Sequence, residues 1–268
     1  MAAGQDWQAI AASKQKELMD SIPKEYLLGK DRLPSATHLD VRDIPESSGL
    51  LSPDELAITV SSPSTILANI RSKQWTSLAV TTAFIKRASI AHQLTNCLTT
   101  TLFPSALTRA AELDAHLSST GQPIGPFHGL PISLKDNFQI TGHASSVGFV
   151  SWSEKPATSD SALVTLLASL GAVIYVKTNV PTAMMIAETV NNTYGRTTSP
   201  LSTSLTPGGS SGGEAALLAM HASPLGVGTD IGGSLRIPAA CTGLFTLRPS
   251  FGRFPTGGAK SGLAGQER

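Results

Sequence analysis

Two glycine-serine clusters with an apolar segment between them constrain this chain more than any other feature. They lie in the stretch Pro207 to Pro249, as Gly208-Gly209-Ser210-Ser211-Gly212-Gly213 and Gly232-Gly233-Ser234. Glycine lacks a Cβ and tolerates positive φ, so the backbone there can turn sharply and approach a ligand, leaving hydroxyls on bare main chain. One such run reads as a flexible loop. Two runs, each leading into a helical pattern, read as built turns.

The 268 residues suffice for one large domain or two small ones. With 41% apolar and 15% charged residues and a net charge of +1, nothing draws the chain toward nucleic acid or an acidic membrane, and a small neutral ligand fits better. Cys97 and Cys241 are far apart and belong to no CxxC or Cys/His cluster, so a reducing compartment and no metal site are expected. The N-terminus is charged throughout, without an apolar signal core. The uncharged run from Ser161 to Val176 is broken by Gly171 and falls short of the about 20 apolar residues of a membrane span. A soluble cytosolic chain is expected.

Asp6 to Ile22 reads as an amphipathic helix ending before Pro23, and Lys24 to Gly49 as an extended arm over the body. Ser52-Pro53-Asp54-Glu55 has the form of a capping box. Helices are predicted over Ser64 to Ser72, Ser77 to Gln93 and Ser105 to Leu117. In the second, Val80, Ala83, Phe84, Ala88 and Ala91 form an apolar stripe while Lys86 and Arg87 point away. Leu130 to Leu134 is a buried strand that delivers Lys135, Asp136 and Asn137 at its end. A helix over Asp160 to Leu170, a strand from Ala172 to Val176, a helix over Gly212 to Met220, and strands Leu225 to Val227 and Leu244 to Leu247 complete the alternation. The pattern predicts an α/β domain with helices on both faces of a sheet.

A serine that attacks a carbonyl needs a base and donors for the oxyanion that forms. Successive N–H groups from Ile231 to Ser234 can supply the donors. None of the six histidines has an obvious catalytic setting. A lysine can serve as base only when uncharged, which burial promotes, and Lys135 follows an apolar run. From periodicity alone the balance favours a solvent-facing lysine there, because lysine is seldom buried.

GGSSGGEAAL followed by GVGTDIGGSLRIPAA, with LPISLKDNF upstream, closely resembles the amidase signature family. LTNC at Leu94 to Cys97, GRTTSP at Gly195 to Pro200 and GQE at Gly265 to Glu267 look most like its fungal acetamidase-type members, and fatty-acid amide hydrolases share the core motifs. The resemblance implies an α/β/α sandwich with a mixed central sheet. Residues 1–50 would be an N-terminal helix and arm, and residues 51–268 the signature domain without its C-terminal half. It implies a Ser-cisSer-Lys triad of Lys135 as base, Ser210 as bridge and Ser234 as nucleophile, with Ser211 the runner-up for the bridge and a cis Gly209–Ser210 peptide. Ile231, Gly232 and Gly233 would hold the oxyanion and Met184 would line the substrate site, unless it is core filler. Asp230 and Arg236 would support the nucleophile loop as a structural ion pair. The implied reaction is hydrolysis of a carboxylic amide C–N bond through an acyl-enzyme, with no metal or organic cofactor. The partner is a small amide, with no nucleic acid and no membrane, and a homo-oligomer stays open. Two other readings stand beside it. One is an idle remnant that only binds. The other is a phosphate-binding module, which GGSSGGE suits poorly because it lacks both the P-loop ending and the GxGxxG spacing.

Overall fold

The computed structural model describes residues 6–35 and 37–263. The GQE motif at Gly265 to Glu267 therefore lies outside the described residues. The front of the chain is helical: α1 (Trp7–Asp20), α2 (Ile44–Ser47), α3 (Pro53–Thr59), α4 (Pro63–Arg71) and α5 (Ser77–Thr95). Asp6 caps α1, Ser52 and Glu55 form a complete capping box on α3, and Ser62 and Thr76 cap α4 and α5. These side chains satisfy N–H groups that a helix start leaves without a partner. Between α1 and α3 the arm is pinned by buried Leu28, Val41 and Ile44 and by the Val41 N–H donating to the Pro200 carbonyl.

After α5 come β1 (Leu98–Thr101), α6 (Phe103–Thr120), β2 (Pro131–Lys135), α7 (Ala162–Ser169) and β3 (Val173–Thr178). A short hairpin of β4 (Val190–Asn191) and β5 (Gly195–Arg196) precedes α8 (Gly212–Ala219), β6 (Gly226–Val227) and α9 (Arg236–Thr242). The main sheet has the order β1-β3-β2-β6. β2 is parallel to both β3 and β6, and β1 is antiparallel to β3, so the sheet is mixed. All five residues of β2 are buried, which requires cover on both faces of the sheet and matches its near-continuous apolar run. Helices α5, α6 and α8 pack on the sheet, and residues from all these elements share one core.

Three differences from the sequence reading are instructive. Arg87 does not point away from α5. It is fully buried, donating to the Met220 carbonyl at 2.6 Å, Thr59 Oγ1 at 3.0 Å and Glu46 Oε1 at 2.5 Å. A guanidinium tolerates such burial only when its donors are matched and its charge is paired, as here. Lys86 turns to Glu55. The expected strand Leu244 to Leu247 does not form. An apolar run that short needs a partner's backbone groups, and none of the described strands pairs with it. Phe245 is fully exposed and Leu247 is 77% exposed. Finally, β1, with three consecutive threonines, pairs at the sheet edge where no strand is predicted.

Arg87→Ala should lower stability in urea unfolding by about 3 kcal/mol, since it leaves a cavity and buried acceptors without donors. Phe245→Ser should change it by less than about 0.5 kcal/mol. Equal effects of the two would contradict this placement.

Candidate active site

The site is built on the last residue of β2. Between β3 and β6 that strand lies in the sheet interior, so the side chain of Lys135 emerges fully buried. Its Nζ donates to Ser210 Oγ at 2.7 Å, to Thr229 Oγ1 at 3.0 Å and to the Thr229 carbonyl at 3.3 Å. Three uncharged oxygens are thus among the partners of the amine.

Ser210 comes from the first glycine-serine cluster, and the Gly209–Ser210 peptide is cis. Glycine at 209 is dictated by its surroundings: a Cβ there would stand 2.7 Å from the main chain of Glu188 and Ile186. Gly213 is as confined, with a Cβ meeting Asn179 N at 2.4 Å. Ser211, the alternative bridge, sends its hydroxyl instead to the Thr229 carbonyl at 3.4 Å. Its N–H donates to the Ser234 carbonyl at 3.1 Å, which ties the two glycine-serine clusters together. Ser210 and Ser211 are buried, and Ser234 is half-buried. No hydrogen bond joins the hydroxyls of Ser210 and Ser234 among the described residues. Lys135 and Ser210 are therefore in contact, and Ser234 is tied through its main chain to Ser211, the residue after Ser210.

Asp230 organises the turn that carries Ser234. Its carboxylate accepts the N–H groups of Gly233 at 2.7 Å, Leu235 at 3.1 Å and Arg236 at 3.4 Å, and the Arg236 guanidinium through Nε at 3.0 Å and Nη2 at 2.9 Å. Burial alone would raise this carboxyl. The guanidinium and the three backbone donors outweigh it and hold the group well below the usual carboxylate range. The Gly233 N–H is occupied by Asp230, and among the described residues the N–H groups of Ile231, Gly232 and Ser234 meet no hydrogen-bond acceptor. Ile231 is half exposed at the mouth of the turn. Met184 is half-buried in a left-handed turn with φ 58°, bonded through its N–H to the Pro181 carbonyl and not to Lys135, Ser210 or Ser234.

Sequence reasoning missed Thr229 and Glu214. Thr229 follows from its place one residue before Asp230. Glu214, in the first turn of α8, is buried, and accepts Ser133 Oγ–H at 2.6 Å and Thr178 Oγ1–H at 2.7 Å. Burial pushes its carboxyl up to about 7, against smaller opposing effects of these hydroxyls and of Lys135. A second buried lysine, Lys177, is paired with Asp136 at 3.6 Å and donates to the Ala144 carbonyl and Ser145 Oγ, so its role is to close the loop after β2. Among the described residues, no three His, Cys, Asp or Glu side chains gather as a metal site would need.

The sequence profile of the Amidase family matches residues 79–267, which spans Lys135 and both glycine-serine clusters. The chain belongs to the amidase signature family. The chain is 46% identical over 261 residues to the acetamidase of Aspergillus oryzae, covering 97% of this chain and 47% of the relative. It is 45% identical over 263 residues to the acetamidase of Emericella nidulans, covering 98% and 47%. Among solved structures, a fatty acid amide hydrolase superposes with a TM-score of 0.92 at 36% identity, over 98% of this chain and 47% of that one. The chain thus spans about half the length of the curated relatives it matches. Among its described residues no helix is long and apolar enough to cross a membrane.

The folded chain holds the Glu214 proton up to about pH 7, whereas an unfolded glutamate releases it near 4.5. Folding therefore binds a proton between those values, and stability should fall as pH rises across that window and level off above it, by about 3 kcal/mol at most. Glu214→Gln should flatten that part of the pH-stability curve in denaturant titrations. A slope unchanged by the substitution would contradict the assignment.

Proposed function

We propose that this chain carries the catalytic residues of an amidase that hydrolyses the C–N bond of a small carboxylic amide. The observation that carries the reading is a fully buried lysine amine donating to Ser210 Oγ at 2.7 Å, beside a glycine turn that presents Ser234. Lysine is rarely buried, and one aimed at a serine hydroxyl points to proton transfer.

In this mechanism Ser234 Oγ attacks the amide carbonyl carbon. Its proton passes to Ser210 Oγ, and the Ser210 proton passes to Lys135 Nζ, which must be uncharged to accept it. The Ser211 N–H bond to the Ser234 carbonyl, which ties the turn of Ser234 to the residue after Ser210, supports this relay. The N–H groups of Ile231, Gly232 and Ser234 stabilise the oxyanion, with the Asp230 carboxylate fixing the turn from behind. The proton returns along the same path to the leaving nitrogen, the C–N bond breaks, and ammonia or an amine departs. Water, losing its proton by the same route, then cleaves the acyl-enzyme. Met184 is placed in this reading as a wall of the acyl site. Two of the most similar relatives are named acetamidase, which makes acetamide the first substrate to try.

The purified chain should release ammonia from acetamide or an arylamine from an activated anilide. Ser234→Ala should reduce the rate at least about a thousandfold, with Lys135→Ala and Ser210→Ala each losing about a hundredfold or more. Ser211→Ala should lose far less. No release from folded protein would favour the idle-remnant reading.

A further inference from the structure

Glu214 is the buried ionisable group that the proposed mechanism leaves unused, and its placement connects it to Lys135. Side chains two apart on a strand share one face, so Ser133 and Lys135 point to the same side of β2. Ser133 Oγ meets Glu214 Oε2 at 2.6 Å, and Thr178 Oγ1 of the neighbouring strand meets Oε1 at 2.7 Å. Glu214 stands in the first turn of α8, just after Ser210 and Ser211. Strand β6 leaves room for it, since a Cβ on Gly226 would fall 2.2 Å from Oε2. The carboxyl is thus clamped between two strands and the helix that begins just after Ser210 and Ser211, on the side of the sheet where the lysine amine is buried.

We propose that Glu214 is a positioning residue for Lys135: as a neutral acid it leaves the amine free to take a proton, and as a carboxylate it holds Lys135 as an ammonium. This rests on the amidase reading for the role of Lys135 as base, but the coupling itself does not. Acid and lysine together hold a single proton in two arrangements, carboxylic acid with amine or carboxylate with ammonium. Only the first contains a base. A carboxylate in a helix's first turn gains from the helix dipole, yet burial outweighs that gain here and favours the acid up to about pH 7.

The other groups facing this carboxyl do not supply a competing charge. The Cys97 thiol, pushed up to about 12 by burial, and the Tyr175 phenol, raised well above its usual range by burial, are neutral. On α5, His92 is pushed down to about 4 by burial, and Arg87 is turned to the far end of α8 and Glu46. On β3, Lys177 is turned to Asp136, and on α9, Arg236 is turned to Asp230.

The test follows the lysine Cε resonances of the 13C-labelled chain through a pH titration, with the Lys135 signal assigned by its loss in Lys135→Met. In Glu214→Gln the competing arrangement cannot form, and the Lys135 midpoint should move about one unit to lower pH. Glu214→Asp, which still titrates, should restore most of the original midpoint. The acid limb of labelling by a fluorophosphonate probe should move with the Lys135 signal. If Glu214→Gln does not fold, Ser133→Ala serves instead: without the hydroxyl that favours the carboxylate, the midpoint should move the same way. A midpoint unmoved in the folded variant overturns the proposal. A midpoint that moves in a chain that takes up no probe leaves the coupling standing and sinks the amidase reading.

Discussion

A buried lysine amine in contact with a serine hydroxyl is the constraint around which the rest of this structure is arranged. Removing a charged ammonium from water is costly without partners, so the interior position of Lys135 demands a shell of oxygens. Ser210 and Thr229 supply that shell from segments 75 and 94 residues away in sequence. The sheet makes the approach possible. Because β2 lies between β3 and β6, its final side chain is delivered into the interior, and both glycine-serine clusters must come to it.

That convergence explains the glycines. At Gly209 and Gly213 the main chains of neighbouring segments lie closer than any Cβ would allow, so the path that brings Ser210 to Lys135 is open only to glycine. The second cluster is held differently, through Asp230. Its carboxylate gathers three backbone N–H groups and the Arg236 guanidinium, which fixes the turn ahead of α9. The arrangement consumes the amides of Gly233, Leu235 and Arg236.

Much of this was legible in the sequence because it follows from local rules. The run Leu130 to Leu134 announced a strand buried on both faces, the capping box at Ser52 announced α3, and the glycine-serine clusters announced turns with exposed hydroxyls. Periodicity could not tell a buried Lys135 from a solvated one, since that depends on which strands flank β2. Resemblance to the amidase signature motifs supplied what local pattern lacked. Arg87 was misread for the same reason: its partners Glu46, Thr59 and Met220 are remote, and a helical stripe says nothing of them. Glu214 passed unnoticed because an acidic residue in a first helical turn is ordinary; only the strands above it make it unusual. The run Leu244 to Leu247 carries a strand pattern that no described strand pairs with.

The central claim is that Lys135, Ser210 and the turn bearing Ser234 form one working unit within these residues. It is tested most directly by treating the folded chain with a fluorophosphonate, then locating the covalent adduct by peptide mass spectrometry. The account predicts a single adduct on Ser234, lost when Lys135 is replaced by alanine. An adduct spread over exposed hydroxyls, or one on Ser234 that forms equally fast without Lys135, would contradict it.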